Sequence, residues 1–275
     1  MKMTCPICPH HCSLDIGQTG LCRARTNEDD RIICSNYGQL TSIALDPVEK
    51  KPLVKFHPGK MILSVGSYGC NLHCPFCQNS DISQIGKADA RVYSYTPEQL
   101  VDMALELVPK KNIGIAYTYN EPFISYEFVA DCAKIVHEKK LLNVLVTNGY
   151  VCEEPLRKIL PLIDAMNIDL KGFTEEFYHK LGGDLETVKN TIMISAKSVH
   201  VEVTTLIIPD ENDTYEEMDA ISSWLASVDD EMPFHVSAFY PRYKYRDRRP
   251  TPYDRVYMLA DIARKKLKNV YTGNC

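Results

Sequence analysis

Nowhere in the 275 residues does an apolar run approach the roughly eighteen to twenty that cross a bilayer, so no transmembrane helix is expected. Met1 to Cys12 contain one lysine and no apolar stretch, so no secretory leader is expected either. There is no excess of basic residues. The formal net charge is −5, which sets a general nucleic-acid binder at a disadvantage. Internal repeats and low-complexity tracts are also missing. These absences leave a soluble, cytoplasmic protein as the expectation. At 45% hydrophobic residues the chain can build one large core with a small appendage.

Cysteine, by contrast, is plentiful, with eleven residues. In a long chain of a reducing compartment, clustered cysteines bind metal or do chemistry more often than they form disulfides. Seven fall in two tight groups: Cys5, Cys8, Cys12 and Cys22, then Cys70, Cys74 and Cys77. Core packing would scatter them. Cys34, Cys132 and Cys152 are isolated, and Cys132 lies in a helical run expected to be core. Cys275 is the last residue of the sequence.

Two regions follow from the pattern. Residues 1–58 read as a cysteine-rich, metal-organised module with a β-hairpin over Arg31 to Asp46, turning at Tyr37-Gly38-Gln39. Residues 59–275 alternate short β-rich runs with helical patterns. The runs are Met61–Val65, Ile113–Tyr117, Asn143–Thr147, Ala165–Leu170, Val201–Ile208 and Phe234–Phe239. The clearest helix is Pro97 to Val108, with Thr96 as N-cap, Pro97 at the first position, and Leu100, Met103, Ala104 and Leu107 on one face. Such alternation predicts an α/β fold with a parallel sheet. Periodicity leaves open whether it is an incomplete barrel or an open doubly wound sheet.

The sharpest motif is Gly69-Cys70-Asn71-Leu72-His73-Cys74-Pro75-Phe76-Cys77, directly after the first strand of the body. In parallel barrels the functional loops sit at the C-terminal ends of strands. A [4Fe–4S] cluster normally takes four thiolates. This loop offers three, which leaves one iron open to a substrate. A zinc site completed elsewhere, for instance by His73, and three inert buried cysteines are the competing uses of the same residues. The first group, C-x2-C-x3-C-x9-C, offers four thiolates and suits either zinc or a second iron–sulfur cluster. His10 and His11 stand beside it as alternative ligands or as supports of the ligands. Arg242 to Arg249 hold five basic residues and read as a solvated loop, with a docking surface for an acidic partner second.

The spacing of the three-cysteine loop, with Phe76 just before its third cysteine, resembles the signature of the radical S-adenosylmethionine (SAM) superfamily. Across the chain, Cys5 to Cys12, Gly20 to Arg25, Ala44 to Leu53, Tyr119 to Pro122 and His235 to Pro241 resemble the radical SAM enzyme of the AmmeMemoRadiSam system, a relative of pyruvate formate-lyase activating enzyme. The resemblance implies a partial, TIM-like (β/α)6 barrel. It implies that Cys70, Cys74 and Cys77 hold a [4Fe–4S] cluster and that SAM chelates its open iron. It also implies reductive cleavage of SAM to methionine and a 5′-deoxyadenosyl radical, which abstracts hydrogen from a substrate. Phe76 is then expected near the adenine, and Asn120 with Glu121 at the position of the Gly-Gly-Glu that receives the SAM ammonium. Thr147, Asn148, Asp169 and Lys171 are expected to approach SAM and a substrate backbone. An ordinary first-turn acid for Glu121 and a structural ion pair for Asp169 and Lys171 are the plainer alternatives. Where activating enzymes carry an arginine on the fifth strand, this chain has Thr204. A flavodoxin or ferredoxin is the expected electron donor. A protein glycine is the first expected substrate. A small molecule is an alternative, and a non-catalytic iron–sulfur electron-transfer protein is the reading from another class.

Overall fold

The structure is a computed structural model and describes residues 1–275. The N-terminal region carries two short antiparallel pairs, β1 (Met3–Thr4) with β2 (Ser13–Leu14) and β3 (Arg25–Glu28) with β4 (Arg31–Cys34). The second pair corrects the hairpin expected over Arg31 to Asp46. Arg31–Cys34 folds back on the residues before it, because Asp29 and Asp30 both adopt positive φ (48° and 59°). Two consecutive left-handed residues make the tight turn whose twist suits a two-residue hairpin, and aspartate tolerates that conformation. The other half of the expected hairpin separates into β5 (Gln39–Leu40) and β6 (Ser42–Pro47). β6 runs antiparallel to β7 (Met61–Gly66) and so enters the main sheet.

After β7 come the short α1 (Ser80–Ser83), β8 (Tyr93–Ser94), which pairs with β5, and α2 (Pro97–Glu106). α2 starts as its sequence dictates. The Thr96 hydroxyl accepts from the Gln99 amide, and the Gln99 side chain accepts from the Thr96 amide. The rest alternates in order: β9 (Asn112–Tyr117), α3 (Tyr126–Glu138), β10 (Leu142–Thr147), α4 (Glu153–Ile159), β11 (Ala165–Asp169), α5 (Glu175–Leu181), α6 (Leu185–Ser195), β12 (His200–Ile207), α7 (Tyr215–Val228), β13 (Phe234–Ala238), α8 (Tyr253–Ala263) and β14 (Val270–Gly273).

Strand order settles what periodicity left open. The eight-stranded sheet runs β14-β13-β12-β11-β10-β9-β7-β6, parallel except for β6. Each new parallel strand adds on the same side, so there is no reversal and no switch point of a doubly wound sheet. Right-handed crossovers that always step one way put their helices on one face and leave the other free. The result is an unclosed barrel with seven parallel strands. β14, the seventh, follows the six expected from sequence. Its four residues, Val-Tyr-Thr-Gly, carry too little apolar pattern to announce a strand.

The connector after β6 closes the N-terminal end. Leu53 is wholly buried, and the Asn167 side-chain amide donates to the Pro52 carbonyl at 2.9 Å. Glu202, on β12 and also fully buried, accepts from the Val54 and Lys55 amides at 3.1 and 2.8 Å. It further accepts from His200 Nε2 (2.9 Å) and His235 Nε2 (2.6 Å). Burial opposes the charge of Glu202, but these hydrogen bonds outweigh it and hold the carboxyl down at about 2. One carboxylate thus ties a loop to two strands.

Candidate active site

At the C-terminal ends of the strands lies a cavity of about 360 Å³. All ten barrel positions singled out in the sequence line it: Cys70, Cys74, Phe76, Cys77, Asn120, Glu121, Thr147, Asn148, Asp169 and Lys171. His73, the residue that a zinc reading would recruit, does not. Its ring faces Gln84 and its amide donates to the Leu181 carbonyl. The convergence follows from the topology, since each residue stands at or just beyond the end of a parallel strand.

The cysteine loop is fixed by side-chain amides. The Asn120 amide donates to the Gly69 carbonyl at 3.1 Å, and its oxygen accepts from the Ser67 amide at 2.9 Å. Asn71, fully buried, donates to the Tyr150 carbonyl at 2.7 Å and accepts from Asn148 Nδ2 at 2.9 Å. The same Asn148 nitrogen lies 3.6 Å from Cys70 Sγ, which also accepts from the Leu72 amide at 3.4 Å. Cys77 Sγ is 3.1 Å from the Ser83 hydroxyl. Gly69 has φ +86° and touches Cys22. A Cβ there would stand 2.3 Å from the Cys22 carbonyl oxygen, so only glycine fits.

Tyr119 lies in the turn between Thr118 and Asn120, at the mouth of the cavity. It adopts the left-handed conformation glycine would take, with φ +70°. Two contacts offset the cost. Its hydroxyl donates to Asp46 Oδ2 at 2.7 Å, and Lys51 Nζ lies 4.7 Å from its ring centroid. Asp46 is also 2.8 Å from the buried Lys51. Burial opposes its charge, but Lys51 and Tyr119 hold the Asp46 carboxyl down at about 2. These residues of the Ala44–Leu53 stretch carried no assigned role in the sequence. Only their contact with Tyr119 shows one.

Two oppositely charged groups face the cavity beside the thiols. Glu121 is 3% exposed. Its carboxylate accepts from the Thr147 hydroxyl (2.8 Å) and the Asn148 amide (2.8 Å), and from the Phe123 amide (3.0 Å). Burial nonetheless raises its pKa to about 7, with Asp169 adding repulsion. Lys171 Nζ pairs with Asp169 Oδ2 at 2.9 Å. Burial opposes the ammonium, but Asp169 and Cys74 outweigh it and hold Lys171 above the ordinary lysine range. Thr204 also lines the cavity, its hydroxyl 2.9 Å from Asn167 Nδ2, so β12 brings no cation.

The residues fit the cofactors the resemblance implies. Three thiols share one wall. Cys70 is half-buried and its thiol is pushed well above the ordinary range, and burial raises Cys74 to about 12. Such thiols ionise only beside a strong cation, which a cluster supplies. N–H donors already aim at the Cys70 sulfur, as they do around tuned iron–sulfur centres. No three His, Cys, Asp or Glu side chains are already drawn to ligating spacing. That is consistent with ligands that must lose protons to close on their metal.

The sequence missed Lys50, Ser83 and Ser237, which also line the cavity. Lys50 and Ser237 lie in the Ala44–Leu53 and His235–Pro241 stretches without an assigned role, and nothing in the local pattern marks Ser83. The basic segment expected to be a solvated loop is partly anchored. The Lys244 amide donates to the Pro75 carbonyl, Tyr245 packs 6.1 Å from Phe76, and Tyr245 and Arg248 both reach Glu211 at 2.8 Å. Cys132 is fully buried in α3, as expected. No helix is long and apolar enough to cross a membrane.

Comparison with known proteins bears on the family and the fold. The model of the radical SAM superfamily matches residues 64–225, more than half of the chain. An uncharacterized protein of Methanocaldococcus jannaschii is 40% identical over 99% of this chain and 81% of its own. A putative glycyl-radical enzyme activating enzyme of the same organism is 23% identical over 74% of this chain and 77% of its own. Among solved structures, Streptococcus suis SuiB bound to its precursor peptide SuiA superposes with a TM-score of 0.57 at 14% identity, covering 83% of this chain and 51% of SuiB, and so shares the fold. By its family match over more than half of its length, the chain belongs to the radical SAM superfamily, whose members work with a [4Fe–4S] cluster and S-adenosylmethionine.

Proposed function

We propose that this radical SAM enzyme abstracts hydrogen from a glycine in the backbone of a partner protein. The observation that carries the reading is the unclosed sheet. β6 and β14 are its two free edges, and Lys50, just past one, and Asn274, just past the other, both line the cavity. An extended polypeptide needs such a gap, whereas a small substrate is better served by a closed pocket that excludes water. The activating-enzyme name of the 23% identical relative supports the same class.

In this reading Cys70, Cys74 and Cys77 hold the cluster, and Glu121, Asn148, Asp169 and Lys171 surround SAM. When bound, the pair supplies a 5′-deoxyadenosyl radical by one-electron reductive cleavage of the sulfonium, with the electron from a flavodoxin or ferredoxin. The protein's part is positioning. Glu121 offers a carboxylate to an ammonium in a site of low dielectric, where the attraction is strong. Lys171 offers a cation in the place where Thr204 gives none. Asn71, Asn120 and Asn148 keep the thiols in register with both. Phe76, parallel to Phe177 at a ring-centroid separation of 6.2 Å, presents a flat apolar wall suited to an adenine.

The test is anaerobic. The reconstituted, reduced protein is given SAM and protein from host cells grown on doubly deuterated glycine, with Cys74→Ala as control. The expected result is deuterium in the 5′-deoxyadenosine released by the intact enzyme alone. Deuterium-free product, with turnover stimulated by the small-molecule fraction of the same cells, would refute the protein-substrate reading.

A further inference from the structure

The first cysteine group belongs to neither the barrel mouth nor its chemistry, and its contents are unassigned. Cys5, Cys8, Cys12 and Cys22 all line one enclosed void, together with Arg25 and His10. The void measures about 10 Å³, against about 360 Å³ at the three-cysteine cavity. That is the space of about one water molecule. As the side chains stand, it suits a single ion better than an eight-atom iron–sulfur cuboid.

Four cysteines from separate turns of the chain converge on this one void, which inert core cysteines would not do. Arg25, 3% exposed, sets its positive guanidinium beside Cys5 while pairing with Glu127 at 2.6 Å. Its Nε is buried without a partner. A divalent ion with four thiolates carries net negative charge, which that group complements.

The site also abuts the radical loop. His10 Nε2 donates to the Asn71 carbonyl at 2.8 Å. The Asn71 side chain in turn accepts from Asn148 Nδ2, the nitrogen that also faces the Cys70 sulfur. Gly69 rests on the Cys22 carbonyl.

We propose that Cys5, Cys8, Cys12 and Cys22 bind one tetrahedral divalent ion of the zinc class, and that this ion holds the Cys70–Cys77 loop in place through Asn71. A tetrathiolate set selects zinc or iron–sulfur, and the size of the void decides between them.

Metal analysis of the holoenzyme, purified and reconstituted anaerobically, tests the assignment. The expected content is about one zinc and about four irons per chain. A Cys70→Ala, Cys74→Ala, Cys77→Ala triple variant should lose the iron and keep the zinc, and Cys8→Ser with Cys12→Ser should lose the zinc. Zinc-edge absorption spectroscopy of the unmutated holoenzyme, which needs no variant to fold, should show four sulfurs at about 2.3 Å. About eight irons per chain, a triple variant still holding a cluster, a single iron in place of zinc, or a zinc shell with fewer than four sulfurs would each overturn the assignment. For the positioning role, Asn71→Ala should keep its zinc and iron but lose the change that SAM induces in the electron paramagnetic resonance of the reduced cluster. A spectrum indistinguishable from that of the unmutated enzyme would overturn that part.

Discussion

Glu121 should make the cluster-free protein less stable as the pH rises. Its carboxyl is buried next to Asp169, and its pKa stands at about 7 instead of the usual 4.5. A carboxyl moved that far is worth about 3 kcal/mol between its two protonation states. The folded chain keeps this proton over a range where the unfolded chain has lost it, so stability falls as pH rises. The contribution is fully present below pH 4.5 and is lost as the pH passes through about 7. The assay compares thermal unfolding of the cluster-free chain and its Glu121→Gln variant in steps from pH 5 to about 8.5. The unmutated chain should lose up to about 3 kcal/mol relative to the variant across that range and then level off. Parallel curves would refute the reasoning. So would a gain in relative stability with pH, which would mean that the Thr147, Asn148 and Phe123 donors outweigh burial and keep Glu121 an anion. The consequence for function is direct. An ammonium bound at Glu121, as proposed above, favours the carboxylate over the neutral acid and draws the proton off.

Glu202 should behave in the opposite sense. With its pKa held at about 2, it stabilises the fold above pH 4.5 by about 3 kcal/mol, and this is lost as pH falls through about 2. Glu202→Gln should melt lower than the unmutated chain at pH 7, the gap should close toward pH 2 to 3, and limited proteolysis should open the connector around Val54. Gly69→Ala should abolish cluster assembly, because its Cβ would meet the Cys22 carbonyl oxygen at 2.3 Å; iron content after reconstitution reads this out. Asn148→Ala removes the side-chain N–H aimed at Cys70 Sγ, and an electrochemical titration followed by paramagnetic resonance should find the cluster harder to reduce.

The sequence by itself determined what is local. The C-x3-C-x2-C loop brings three sulfurs together by spacing alone, since Cys70, Cys74 and Cys77 sit in one short loop. Thr96, Pro97 and Gln99 fix the start of α2 through hydrogen bonds that span three residues. Alternation of β-rich and helical runs sufficed for a parallel α/β body, because each unit's apolar pattern is written in its own residues. The tertiary structure decided what depends on distant partners. Periodicity carries no information on strand order, so only the sheet shows that every strand adds on one side and that β6 and β14 leave a gap. The hairpin moved to Arg25–Cys34 because two left-handed aspartates make a better turn than the one expected at Tyr37-Gly38-Gln39. Tyr119 takes a glycine's conformation because Asp46 and Lys51, some seventy residues earlier, hold it there. Glu202 and Asn71 look like ordinary polar residues in the sequence. They matter because folding buries them completely, and a buried polar group must find partners wherever the chain brings them.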